Sequence, residues 1–222
     1  KMAEISAKEA AVSGLHVTFS PMVDLVRDPR WGRVMESTGE DPLLNSRLAA
    51  AMVRGYQGEN LKEDNWRVAA CVKHFAAYGG ALAGRDYNTV DMSERQLREM
   101  YLPGYKAGLD AGAKLVMTSF NTVDGIPATG NQWLFRDVLR NEFGFEGVVI
   151  SDWGAIKELI PHGVAKDEKQ AAELAIKAGV DIEMMTTCYP DYLKELLEEG
   201  RIAETLIDEA VMRILKLKNE LG

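Results

Sequence analysis

Four apolar runs of this sequence each lead into polar side chains whose types could do chemistry. Residues 148–151 end in Asp152, with Trp153 beside it. Residues 67–72 lead into Lys73-His74-Phe75, and residues 114–119 into Phe120 and Asn121. Residues 16–20 are followed by Asp24 and by Asp28-Pro29-Arg30-Trp31-Gly32-Arg33. A carboxylate flanked by Lys, His and Arg has its charged form favoured, which suits a nucleophile better than a proton donor. Cations and neutral donors around it suit a ligand rich in hydroxyls, and Trp153 offers a flat apolar face for a sugar ring. Each residue alone has a plainer reading. A strand-end Asp caps the next helix, a His after a strand is a hydrogen-bonded structural residue, and Arg30 or Arg33 pairs with Glu36, Glu40 or Asp41.

These groups meet only if the elements beneath them bring them together. One unit recurs along the chain: an amphipathic stretch, a stop containing Gly, then a short continuous apolar run. Helices are expected over 2–13, 94–111, 132–143, 168–178, 191–199 and 203–221, and strands over 16–20, 67–72, 114–119, 148–151 and 180–184. Ser93-Glu94-Arg95-Gln96 has capping-box spacing, and Val123-Asp124-Gly125-Ile126-Pro127 is a turn cluster. Unbroken apolar strands alternating with helices indicate a parallel sheet buried on both faces, hence an α/β fold. In a (β/α) barrel, functional side chains gather at the C-terminal strand ends, where these residues lie. A closed barrel has eight strands and about 250 residues. The expectation is therefore a partial (β/α)8 TIM-like barrel in which 1–222 is the C-terminal larger part and roughly three N-terminal βα units are absent. An open doubly wound sheet is the alternative, although its Gly-rich first βα turn is missing.

Composition narrows the function classes. Hydrophobic residues make up 46% and charged residues 27% of the 222, an ordinary globular balance. A net charge of −8 and no basic run longer than a dipeptide argue against nucleic acid and against a membrane surface. No apolar stretch reaches the roughly 18 residues of a spanning helix. Cys71 and Cys188 lack metal-ligand spacing, Cys71 reads as a buried small hydrophobe, and no His-x-x-x-His occurs, so neither metal nor cofactor is expected. Residues 1–6 carry no signal-peptide pattern, and the compartment is not readable.

Asp28-Pro29-Arg30-Trp31-Gly32-Arg33, Lys73-His74-Phe75, Val116-Met117-Thr118-Ser119-Phe120-Asn121 and Ser151-Asp152-Trp153 resemble, in order and spacing, the barrel of glycoside hydrolase family 3. Tyr87-Asn88-Thr89-Val90-Asp91-Met92 and Gly154-Ala155-Ile156-Lys157-Glu158-Leu159 resemble its bacterial β-glucosidase branch, which includes periplasmic enzymes. The resemblance covers nearly the whole chain. It implies a retaining β-glycosidase acting on a β-linked oligosaccharide or glucoside. Asp152 matches the family nucleophile, Lys73, His74 and Arg33 match sugar-binding positions, and Trp153 matches an aromatic wall at the scissile bond. Phe120 stands where many members carry a Tyr that supports the nucleophile, so that hydroxyl is missing or comes from elsewhere. The N-acetylglucosaminidase subgroup follows Lys-His-Phe with Pro-Gly-His-Gly, whereas this chain has Ala76-Ala77-Tyr78-Gly79-Gly80 and no His before His162. A β-glucosidase or β-xylosidase is the reading that remains.

Retaining hydrolysis requires a second carboxyl about 5–5.5 Å from the first. Glu36, Glu40 and Asp41 lie in a loop that starts a helix, and Glu158 and Glu183 read as structural. By the resemblance, the acid/base is a Glu on a following α/β-sandwich domain, absent from this chain like the first barrel strands. Two rivals stand beside this reading. One is a Schiff-base enzyme built on Lys73. The other is a non-catalytic carbohydrate-binding barrel.

Overall fold

Strand pairing follows chain order, and this decides between the two sheet arrangements. A computed structural model describes residues 1–87 and 89–222; Asn88, part of the 87–92 motif, lies outside the described residues. Helix α1 (Met2–Val12) is followed by β1 (Val17–Thr18), α2 (Pro42–Gln57) and β2 (Ala69–Phe75). A helical stretch comes next: α3 (Glu94–Gln96), a π-helical turn (Leu97–Tyr101) and α4 (Leu102–Asp110). It leads to β3 (Leu115–Thr118), a hairpin of β4 (Thr122–Val123) and β5 (Ile126–Pro127), a π-helix (Trp133–Glu142) and β6 (Val148–Ile150). Helices α5 (Glu168–Ala178), α6 (Cys188–Glu198) and α7 (Glu204–Glu220) complete the described elements. The main sheet is ordered β1-β2-β3-β6, and every pair in it is parallel. The doubly wound alternative needs a point where strand order reverses; this sheet runs in one rotational direction, as a barrel does. The chain forms a partial (β/α) barrel.

Four of the five expected strands are present with altered ends. The first is short, because only Val17 and Thr18 pair regularly, yet the chain stays beside β2 through Cys71 N–H to Ser20 O (3.1 Å) and Val23 N–H to Lys73 O (2.7 Å). The second runs beyond its expected end, through Lys73 and His74 to Phe75. The expected strand 180–184 reduces to one parallel bridge, Ile150 to Ile182. Its side chains turn instead to capping and ion pairing: Glu183 accepts the N–H groups of Cys188 (2.9 Å) and Tyr189 (2.7 Å), which makes it a cap for α6.

Helix ends follow from local chemistry. Asp41 accepts the N–H groups of Leu43 and Leu44 ahead of Pro42 at the first turn of α2. Ser93 accepts from Gln96 N–H, as the capping-box spacing implies. The Asp124-Gly125 pair, both at positive φ (52° and 75°), makes the tight β4–β5 turn.

The sheet has two apolar faces. Ala70, Val72 and Phe75 join Tyr105, Phe135 and Leu139 under the helices. Ala69, Cys71, Leu115, Met117, Val148 and Ile150 line the other face and meet Leu217 of α7. Residues 69, 115 and 148 begin or nearly begin their strands, so α7 covers the end opposite the polar strand ends.

A buried ion cluster fastens the last segment. Asp181 accepts Val149 N–H (2.8 Å), Arg140 Nη2 (2.9 Å) and Arg213 Nη1 (2.9 Å). Removing one member of a buried charge cluster costs about 3–5 kcal/mol, because the remaining charges are left uncompensated. Asp181→Ala is expected to destabilise the fold by about that amount in urea unfolding; a change below about 1 kcal/mol would show that the cluster is dispensable.

Candidate active site

The site sits at the C-terminal ends of β1, β2, β3 and β6. Strand β2 contributes two consecutive residues through an irregularity. Val72 pairs with Val116 but Phe75 pairs with Thr118, so β2 holds one residue more than β3 over this span. Such a bulge interrupts the in–out alternation of side chains. Phe75 returns to the helix-facing core, while Lys73 and His74 both act on the polar end of the sheet.

Asp152 follows β6. Its N–H donates to Thr118 Oγ1 (3.2 Å), and its own Oδ1 accepts Trp153 N–H (2.6 Å). Oδ2 has no hydrogen-bond partner and lies 3.4 Å from His74 Nε2. The residue is only 8% exposed. Burial raises its carboxyl above the ordinary aspartate range, against the opposing pull of His74, the Trp153 N–H, Lys73 and Arg33. The expectation that neighbouring cations would favour the charged form is therefore corrected. They do favour it, but desolvation in this strand-end niche is the larger effect.

His74 is buried between two carboxylates. Its Nδ1 is 2.7 Å from Asp24 Oδ2, and Asp24 is fully buried. Arg33 is bound through both Nε and Nη2 to Glu36 (2.7 and 2.9 Å) and lies over the Tyr78 ring at 5.6 Å. That pair raises Arg33 and lowers Glu36. Within the same motif Arg30 pairs outward with Asp28, while Trp31 is buried with its indole N–H on Asp86 (3.0 Å). Trp153 stands 62% exposed at the rim. Asn121 is buried and turns its amide to Ala76 O (3.2 Å), so it braces the loop after β2. Phe120 is also buried, its ring centroid 5.8 Å from that of Tyr78 and 4.3 Å from that of Tyr87. Tyr87, at positive φ (61°), is the more exposed ring of the three.

Asp152, His74, Lys73 and Arg33 are thus brought within electrostatic reach of one another, Trp153 borders them, and Phe120 lies beneath Tyr87. Sequence reasoning missed the roles of two residues. Tyr105 reads as a core aromatic of a helix, yet its hydroxyl meets Asp24 Oδ1 (2.8 Å). Tyr87 reads from the sequence only as the first residue of the 87–92 motif, with no role of its own, yet its ring stacks on Phe120. Glu158, which reads as structural, has its carboxyl raised by burial and then by the Asp152 charge. Among the described residues no group of His, Cys, Asp and Glu is arranged to hold a metal ion.

Residues 1–217 match the family model described as Glycosyl hydrolase family 3 N terminal domain. The chain belongs to glycosyl hydrolase family 3. It is 49% identical over 218 residues to the periplasmic β-glucosidase of Salmonella typhimurium, covering 98% of this chain and 28% of that protein. It is 38% identical to a β-xylosidase of Formosa agariphila, covering 100% of this chain and 32% of that protein. The β-glucosidase of Listeria innocua, solved in complex with glucose, superposes with a TM-score of 0.99 at 66% identity, over 100% of this chain and 31% of that one. This family 3 chain therefore spans about a third or less of the length of these relatives.

The raised Asp152 carboxyl carries a stability consequence. A folded-state value above the unfolded one favours folding below the ordinary aspartate range, and that advantage is lost as pH rises through the folded value. Ionised Asp152 thus weakens the fold at neutral pH. Asp152→Asn is expected to raise the melting temperature at pH 7 and to have little effect near pH 3; a lower melting temperature at pH 7 would contradict the burial argument.

Proposed function

We propose that this chain is the larger, C-terminal part of the catalytic barrel of a retaining β-glucosidase, which releases terminal non-reducing β-D-glucosyl residues through a covalent glycosyl–Asp152 intermediate. The observation that carries this reading is Asp152 Oδ2. It is a carboxylate oxygen at a barrel strand end, free of hydrogen bonds, with an imidazole at 3.4 Å and two further cations within electrostatic reach. Oδ1 is held in place by the Trp153 N–H, whereas Oδ2 faces only the His74 imidazole and keeps a lone pair for attack. In the first step Oδ2 bonds to the anomeric carbon while an acid protonates the departing oxygen. In the second, water activated by the same group displaces Asp152, with net retention. Lys73, His74 and Arg33 hold sugar hydroxyls, Trp153 forms the wall next to the scissile bond, and Phe120 supports the site through Tyr87.

The acid/base belongs to a Glu of a following domain. Glu36 is committed to Arg33, Asp41 to the α2 N-terminus and Glu183 to the α6 N-terminus, and Glu158, whose carboxyl is raised by burial and then by the Asp152 charge, is the in-chain rival. The remaining barrel strands complete the sheet between β1 and the Ile182 segment. There an apolar cleft of about 430 Å³, lined by Val17, Ile182, Ile214, Leu217 and Leu221, supports the seating of further strands. β-Xylosidase activity is the second reading, favoured by the similarity to the Formosa enzyme.

In the complete polypeptide, Asp152→Ala is expected to slow hydrolysis of aryl β-D-glucosides at least about a thousandfold. Added azide should restore turnover and yield the α-glucosyl azide; wild-type-like turnover by the variant would refute the assignment. Faster cleavage of xylosides than glucosides by the wild type would favour the second reading. Glu158→Gln is expected to leave the ratio of rates on alkyl and dinitrophenyl glucosides unchanged. Selective loss on the alkyl substrates would put the acid in this chain.

A further inference from the structure

Asp24 is fully buried and contacts no surface, yet three donors converge on its carboxylate. Oδ2 accepts the His74 backbone N–H (3.1 Å) and faces His74 Nδ1 (2.7 Å), while Oδ1 accepts the Tyr105 hydroxyl (2.8 Å). Its carbonyl is held by Ser37 Oγ (2.8 Å), and the preceding Val23 is pinned to Lys73 O (2.7 Å). Neither the carboxylate nor the imidazole has freedom to turn away. A bare Nδ1 lone pair would repel a carboxylate oxygen at 2.7 Å, so Nδ1 carries a hydrogen.

That tautomer dictates what faces Asp152. In neutral His74, Nε2 would present a lone pair 3.4 Å from Asp152 Oδ2, an oxygen with no other hydrogen-bond partner. Two lone pairs facing each other in a buried site repel, and one proton between them removes the conflict. The proton is compatible with nucleophilic attack only when it resides on the imidazole. The negative charge of Asp24 on the far side of the ring stabilises that arrangement.

We propose that Asp24 is a positioning residue of the active site: it locks His74 in the Nδ1–H form and keeps the proton shared with Asp152 on the imidazole side. The proposal rests on the reading of Asp152 as nucleophile. It makes Asp24, His74 and Asp152 one carboxylate–imidazole–carboxylate unit. The charged and titratable groups facing it include Lys73 on β2, Arg33 and Glu36 on the loop after β1, Glu158 and Tyr87 on the Asp152 side, the Tyr78 ring edge (5.2 Å between centroids) and Tyr105 on α4. Burial pushes the Tyr105 phenol far up, so it remains a donor throughout the working range.

Asp24→Asn tests the charge without the shape, since the amide oxygen can accept from both His74 donors and the NH2 can face Tyr105. In the complete enzyme, the acidic limb of the kcat/KM–pH profile is expected to move up by about one pH unit, with about a tenfold loss of kcat/KM on that limb. Asp24→Glu should restore part of the profile. A purely structural residue would lower the melting temperature and leave the limb in place, and a folded Asp24→Asn enzyme with an unmoved limb overturns the proposal. If Asp24→Asn does not fold, the wild-type protein decides. In 15N-histidine-labelled protein, with His74 assigned through His74→Gln, Nδ1 must carry a hydrogen; an Nε2–H-only imidazole overturns it. Failure of the wild type to cleave any glycoside would instead sink the glycosidase reading, which the tautomer measurement does not depend on.

Discussion

Strand β2 is buried on both faces, so each of its backbone groups must find a partner on β1 or β3. The extra residue between Val72 and Phe75 is accommodated under that constraint. Its consequence is local and directional. Val72 and Phe75 keep their places in the helix-facing core, and the slack is taken up by Lys73 and His74. Lys73 O still accepts Val23 N–H, and His74 N–H is satisfied by the carboxylate of Asp24 in place of a strand neighbour. A ladder defect thus becomes the point where β1, β2 and β6 contribute charged groups to one volume.

The electrostatics of that volume are set by competition between burial and neighbours. Asp152 is shielded enough that desolvation outweighs His74, the Trp153 N–H, Lys73 and Arg33 together. Elsewhere the balance falls the other way: partly exposed Asp28 is drawn down to about 2 by Arg30. Asp181 shows the same burial effect as Asp152, yet two guanidiniums and a backbone N–H contact its oxygens directly. The contrast separates a carboxylate that fastens the fold from one that has an oxygen to spare. Uncommitted polar atoms in a buried site weaken a fold, and they persist where they serve a reaction.

The two ends of the sheet have different tasks. Leu217 of α7 closes one end over Ala69, Leu115 and Val148, an apolar contact that asks only for volume. The other end carries Asp24, Lys73, His74, Thr118, Ser151 and Asp152, where every hydrogen bond is specific. This division follows from parallel strands in chain order, since all C-terminal ends then point the same way.

The sequence by itself determined the class of fold. Continuous apolar runs separated by amphipathic helices and Gly stops define a parallel α/β sheet, and Ser93 and Asp41 mark helix starts through side chains that reach backbone groups three residues on or nearer. These signals are local, so they are readable one residue at a time. The site's residue types were equally legible at strand ends, and family membership follows from the same motifs. What only the tertiary structure decided was partnership across long separations. The Asp24–His74 contact spans 50 residues and Tyr105–Asp24 spans 81. The segment 180–184 also fell outside local reasoning: its apolar run reads as a strand, but Asp181 and Glu183 are drawn to Arg140, Arg213 and the α6 N-terminus, leaving one bridge at Ile182. The sign of the Asp152 shift was beyond the sequence for the same reason. Neighbouring charges can be listed from a sequence, but the water excluded around a carboxylate depends on everything packed over it.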